Sequence, residues 1–155
     1  MTTRPPRLGE RSGLDYEFVS LKEFQALRKK KALLEWAQIF DHYYGSPKTK
    51  IEQEVKGGKI VLLAVDVQGA RSLRKKLANR VRVLSLFILP PSISVLRERL
   101  EGRQTDSPAE IEKRIERAQD EIKAAREYDH TIINHDLDQT IHEVESLISE
   151  FTKNA

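Results

Sequence analysis

Apolar and polar positions along the chain switch between a period near two and a period near 3.6, and the switches mark its elements. Tyr16-Glu17-Phe18-Val19 alternates like a short strand. Ser20 with Glu23 makes a capping-box pattern that starts a helix running through about Lys30. Leu33 to Phe40 and His42 to Tyr44 read as two strands of a small sheet. Pro47 at a first helical position and Gly57-Gly58 beyond the end bracket a second helix. Strand, helix, strands and helix in this span predict a compact α+β region.

The pattern then changes character. Ile60-Val61-Leu62-Leu63-Ala64-Val65 is a continuous apolar run, suited to a parallel strand covered on both faces. Asp66 closes it, at the end of a strand where α/β sheets bind ligands. A helix is predicted from about Ala70 to Leu77, and Val81 to Leu89 reads as a second buried strand ended by Pro90-Pro91. Ser92 caps a helix to Arg103, a polar break follows from Gly102 to Ser107, and Pro108 opens a long charged helix to about Tyr128. Ile111, Ile115, Ala118 and Ile122 lie on one face of that helix. His130 to Ile133 is a third short strand. Asp138 caps a final helix striped by Ile141, Val144, Leu147, Ile148 and Phe151. Alternating strands and helices in this half predict a parallel sheet, and the class is α/β. There is no internal repeat.

Composition narrows the picture. A length of 155 residues suits one domain. With no cysteine, disulfides and thiolate metal sites are excluded, and a reducing compartment suits the chain. No apolar run approaches the roughly 20 residues of a membrane span, and the start of the sequence has no apolar leader core. A cytoplasmic address without membrane contact is therefore expected. The net charge of +3 is too small to argue for a nucleic-acid partner. Arg28 to Lys31, and Arg71 with Arg74-Lys75-Lys76, read as solvated helix faces. A local positive field also suits a phosphate-rich ligand.

Candidate chemistry centres on Glu35, a carboxylate among the apolar residues Leu33, Leu34, Trp36 and Ile39. Such a group is costly to bury unless it is paired or meets a ligand. Guanine presents adjacent N1–H and N2–H donors that one carboxylate accepts together, and adenine lacks that edge. The plain alternative is a Glu paired with a Lys or Arg. Tyr43-Tyr44 adds two phenols and Gly45-Ser46 a tight turn with a hydroxyl. Thr2 to Asp15 reads as a loop whose Arg4, Arg7 and Arg11 offer forked donors to phosphate, or form a disordered basic segment. His42, His130, His135 and His142 have no metal-ligand spacing, so no metal site is expected from them.

The motifs Thr2-Thr3-Arg4-Pro5-Pro6-Arg7, Gly9-Glu10, Gly13-Leu14-Asp15-Tyr16 and Phe18-Val19-Ser20 follow one another in order. Leu34-Glu35-Trp36-Ala37, Tyr43-Tyr44-Gly45-Ser46 and Val65-Asp66-Val67-Gln68-Gly69-Ala70 continue the series. Phe87-Ile88-Leu89-Pro90-Pro91-Ser92, Arg99-Leu100-Glu101-Gly102-Arg103 and Ile133-Asn134 complete it. Together they resemble the guanylate kinases, over nearly the whole chain. The resemblance implies a P-loop-kinase-like parallel sheet with a small α+β GMP-binding insertion and a helical lid. It places the GMP region at about 1–58 and the core strands, lid and last helices at 59–155. It implies transfer of the ATP γ-phosphate to GMP, giving GDP and ADP, with Mg2+. Arg4, Arg7, Tyr16 and Tyr44 match the grip on the GMP phosphate, Glu35 and Ser46 the guanine readers, and Asp66 a carboxylate close to the transferred group. Arg99, Arg103 and Arg114 match lid arginines that close over ATP phosphates, and Asn134 a position near the adenine. Ion pairs with Glu98, Glu101, Glu110 or Glu112 are the plain alternative for the arginines, and a turn after a strand is that for Asn134.

The sequence also departs from the family. No G-x-x-x-x-G-K-[ST] occurs in it, and Gly57-Gly58-Lys59 precedes a strand pattern rather than a helix. The family's serine just before Thr-Thr-Arg has no counterpart, Ala64 stands where an acid is usual, and Gln104 stands in place of a lid glycine. In the family the P-loop strand lies between the counterparts of Ile60–Val65 and Val81–Leu89, so two strand edges are expected to lack partners. Two further expectations follow: these 155 residues alone turn over slowly, and Met1 is an internal residue of a longer frame. The alternative function is a catalytically inactive guanylate-kinase-like module binding GMP or a phosphorylated partner.

Overall fold

The structure, a computed structural model, describes residues 1–103 and 106–153. It forms two compact units, Met1–Val81 and Arg82–Ala155.

The first unit is built on a hairpin. Helix α1 (Leu21–Lys29) starts at the capping box its sequence encodes, with Ser20 accepting from Glu23 N and the Glu23 carboxylate accepting from Ser20 N. Strands β1 (Leu33–Ile39) and β2 (His42–Pro47) pair antiparallel, with a register shift between Leu33 and Glu35. The shift lets Leu33, Leu34 and Glu35 all turn inward, which strict alternation forbids. Phe24 of α1, 1% exposed, packs on this hairpin, its ring 5.5 Å from that of Tyr43. Gly45 makes that packing possible, because a Cβ there would lie 3.1 Å from Phe24 Cζ and Leu33 Cδ1. Helix α2 (Lys48–Lys56) follows Pro47, and Gly58 takes the left-handed φ of +77° just beyond it. Helix α3 (Val67–Leu77) is capped by Asp66 and starts three residues before the predicted start at Ala70. Its Lys76 donates to Leu34 O at 2.7 Å and ties α3 to β1.

Two predicted strands of this unit do not form. Tyr16–Val19 makes only isolated bridges, of Tyr16 with Ser12 and of Phe18 with Thr2. The polar groups of residues 17 and 19 go instead to Thr2, with Thr2 N donating to Glu17 O and Val19 N to Thr2 O. Ile60–Val65 is irregular and has no ladder partner among the described residues. Ile60 and Leu62 are 56% and 72% exposed. An apolar run becomes a strand only when another strand takes up its N–H and C=O groups, which residue patterning cannot guarantee.

The second unit holds a parallel pair, β3 (Leu86–Leu89) and β4 (His130–Ile133), with Leu86 opposite His130 and Leu89 opposite Ile133. The predicted strand Val81–Leu89 is therefore shorter than expected. Ser85 marks its start, where its N–H and hydroxyl meet the Asp129 carboxylate at 2.8 and 2.5 Å and fix the register. Helices α4 (Ile93–Gly102) and α5 (Pro108–Ile122) bury Leu100, Ile111 and Ile115 between them, with Ile93 and Leu96 alongside. Helix α5 ends before Tyr128. A short 3-10 turn at Ala125–Glu127 follows, and Tyr128 is extended with its ring edge-on to Phe87 at 4.8 Å. The last helix, α6 (Leu137–Lys153), is capped by Asp136 rather than Asp138, since Asp136 Oδ1 accepts from Gln139 N. No helix among the described residues is long and apolar enough to cross a membrane.

Candidate functional site

The register of the first hairpin sets Glu35 directly opposite Ser46. Ser46 Oγ donates to Glu35 Oε1 at 2.6 Å, and Glu35 is only 4% exposed. The partner of this buried acid is thus a hydroxyl, not the Lys or Arg of the plain alternative. The other carboxylate oxygen lies against the first turn of α3, beside Gly69 and the capping carboxylate of Asp66. Asp66 Oδ1 itself accepts from Gly69 N at 2.8 Å.

Burial is the largest influence on the Glu35 carboxyl and raises its pKa above the ordinary 4.5; Ser46 opposes this and the Asp66 charge adds to it. Because the folded pKa is the higher one, the folded chain holds an extra proton between the two values. The stability that neutral Glu35 contributes is full below about 4.5 and is lost as pH rises through the folded pKa. Glu35→Gln cannot ionise, so the variant's Tm should gain on the parent's as pH climbs from about 4 to about 8. A difference in Tm that stays flat over that range would show that the carboxyl does not titrate as its burial demands.

A second cluster gathers at the edge of the same hairpin. Thr2, fully buried, accepts from Arg4 N at 3.1 Å through Oγ1, and Thr3 Oγ1 accepts from Tyr43 N at 2.9 Å. These bonds hold residues 2–4 against β2, so the predicted loop is ordered there. Arg4 consequently points over the rings of Tyr16 and Phe18, each 5.7 Å from its guanidinium carbon. Tyr16 and Tyr44 meet edge to face at 6.2 Å. The Arg4 fork holds Glu10 by two hydrogen bonds of 2.9 Å, and Glu10 Oε2 also accepts from Arg7 N at 2.7 Å. Arg4, first, and the Arg7 N–H pull the Glu10 carboxyl below its ordinary range, and the Tyr44 phenol is a further neighbour that favours the Arg4 charge.

The sequence-predicted residues thus fall into two groups. Arg4, Arg7, Tyr16, Glu35, Tyr44, Ser46 and Asp66 belong to the first unit, and Glu35, Ser46 and Asp66 gather around the start of α3. Arg99, Arg103, Arg114 and Asn134 belong to the second unit. There Arg99 Nη2 donates to Asn134 O at 3.0 Å and to His135 O at 3.2 Å, which ties α4 to the turn after β4. Arg103 is the exposed C-cap of α4. Arg114 pairs with Asp106, Nε to Oδ2 at 3.2 Å. Gln104 lies outside the described residues. Among the described residues no three His, Cys, Asp or Glu side chains gather as a metal site.

Two residues that shape the site carry no distinctive sequence signal of their own. Glu10 looks like a turn residue after Gly9, and only the fold shows its bond to Arg4. Gly69 looks like a glycine just before a helix, and only its crowding against Glu35 sets it apart.

A model of the guanylate kinase family matches residues 1–151. The guanylate kinase of Synechocystis is 45% identical over 149 residues, covering 96% of this chain and 76% of that protein. The guanylate kinase of Rickettsia prowazekii is 44% identical over 155 residues, covering 99% of this chain and 77% of that protein. The crystal structure of guanylate kinase from Anaplasma phagocytophilum superposes with a TM-score of 0.81 at 34% identity, over 96% of this chain and 71% of that one. The α/β fold, the ordered motifs and this extent of identity agree: the chain belongs to the guanylate kinase family.

Proposed function

We propose that the chain serves the family's reaction, transfer of the ATP γ-phosphate to GMP, and that its first unit is the GMP site. The observation that carries this reading is the Glu35–Ser46 pair, a buried carboxylate whose nearest polar partner is a small hydroxyl. A buried carboxylate bonded to a hydroxyl rather than to a cation keeps acceptor capacity for an external donor set, and the N1–H and N2–H of guanine supply one. Arg4, Arg7, Tyr16 and Tyr44 then take the monophosphate, two guanidiniums and two phenols around a dianion. Asp66, at the start of α3, serves the reacting end. Arg99, Arg103 and Arg114 serve the ATP phosphates and Asn134 the adenine; phosphoryl transfer is mostly positioning and charge stabilisation, which arginines supply. Mg2+ arriving with ATP asks the protein for one or two carboxylates, and Asp66 fits that need where Ala64 cannot. The metal, when bound, neutralises charge on the phosphates.

Calorimetric titration of the 155-residue chain with GMP and with AMP tests the reading. GMP is expected to bind at least about tenfold more tightly, because adenine leaves the carboxylate without its donors. Equal affinities would assign the pocket to phosphate alone, as a module for phosphorylated partners would use it.

A further inference from the structure

The space that a side chain would fill at Gly69 is taken up by the site itself. Gly69 is the third residue of α3, and a Cβ there would lie 2.9 Å from Glu35 Oε2, 3.2 Å from Asp66 Oδ1 and 3.2 Å from Val65 Cβ. Its backbone is helical, so the demand for glycine is one of space and not of φ. Gly57 gives the contrast, since a Cβ there would meet only ordinary contacts, 3.4 and 3.5 Å from carbonyl oxygens.

We propose that Gly69 is a positioning residue for purine selection: its bare Cα leaves the seat against which the Glu35 carboxylate rests, and so aims both carboxylate oxygens. The inference rests on the reading of Glu35 as the guanine acceptor. Of the three neighbours, Glu35 Oε2 is the far end of a flexible side chain. Asp66 Oδ1 is held by the Gly69 N–H, and Val65 Cβ is fixed by the backbone. A methyl group therefore displaces the carboxylate first. The side chain is buried and its other oxygen is bonded to Ser46, so the carboxylate turns within its pocket rather than escaping to water. The damage falls on the alignment of two acceptors and spares the fold, because alanine suits a helix better than glycine does.

The test titrates GMP and AMP into the 155-residue chain and into Gly69→Ala, Glu35→Gln, the double variant and Gly57→Ala, with a thermal melt of each. Gly69→Ala should melt near the parent and bind GMP roughly tenfold or more weakly, while AMP changes little, so the GMP-to-AMP preference collapses. Gly57→Ala should keep the parent's preference. The double variant should be no less selective than Glu35→Gln, since both changes act through one group. An intact preference in Gly69→Ala, an additive double variant, or a Gly69→Ala chain that melts far below the parent would each overturn the inference. Glu35→Gln decides the underlying reading separately. A collapsed preference there beside an intact one in Gly69→Ala sinks only the role of Gly69. An intact preference in Glu35→Gln sinks both.

Discussion

Glu35→Gln should abolish the preference for GMP while leaving the fold at least as stable as the parent at neutral pH. The substitution keeps size and shape and replaces one acceptor oxygen with a donor. Ser46 can still donate to the remaining oxygen, as it does now at 2.6 Å. The new NH2 then faces a guanine N–H, donor against donor, and one buried donor goes without a partner. That costs on the order of 1–3 kcal/mol, a loss of about five- to 150-fold in GMP affinity. Adenine behaves differently, since an amide can donate to one ring nitrogen and accept from the exocyclic amine. AMP affinity should hold or rise, and the preference narrows from both sides. Stability moves the other way. Burial disfavours the Glu35 charge, and the amide carries none. A gain in Tm with a loss of selectivity is the mark of a residue kept for binding rather than for packing. If the variant loses stability and keeps its preference, Glu35 is a structural group and the guanine reading fails.

Local signals carried much of the fold. The capping box at Ser20, the helix start at Pro108, the turn glycine Gly58 and the stripe of Ile111 and Ile115 each act within a few residues, and each appears where the pattern places it. The failures are non-local. Ile60–Val65 has the composition of a buried strand, but a strand is a property of two segments, and nothing in one segment's pattern supplies the other. The same limit shortens the strand at Leu86–Leu89, whose extent is set by what His130–Ile133 can pair. Helix α5 stops early because Tyr128 turns to meet Phe87, a tertiary contact that overrides propensity.

The candidate site divides in a similar way. Glu35 was legible because a carboxylate in an apolar strand violates patterning, and such violations concentrate at functional positions. Its partner was not legible from pattern alone. Ser46 becomes the partner through the bulge between Leu33 and Glu35, which sets the register. Arg4 was legible as a phosphate ligand type, but not the Glu10 carboxylate that already holds it, because a six-residue loop can place a glutamate anywhere.

Arg4→Ala should weaken GMP and AMP equally, the opposite signature to Glu35→Gln. Arg4 spends three hydrogen bonds on the protein, two to Glu10 and one to Pro5 O. A guanidinium has five N–H donors, so two remain for a phosphate. The side chain is 11% exposed and sits over the rings of Tyr16 and Phe18, which fixes the direction of those donors. Truncation removes them and also strips Glu10, 20% exposed, of its main partner. Glu10 keeps only the Arg7 N–H and now stands as a bare negative charge beside the incoming dianion. Loss of an attraction and gain of a repulsion together should cost about 2–5 kcal/mol of binding, from roughly thirtyfold to several thousandfold. Both nucleotides carry the same phosphate, so the ratio of their affinities should stay as in the parent. Adding Glu10→Gln to Arg4→Ala should recover part of the loss by removing the repulsion, and titration of the double variant measures that share. A double variant that binds more weakly still would mean that Glu10 supports the phosphate site by some route other than Arg4. A change in the GMP-to-AMP ratio as large as that of Glu35→Gln would mean that Arg4 reads the base, and the division of the site into a phosphate end and a guanine end would fall.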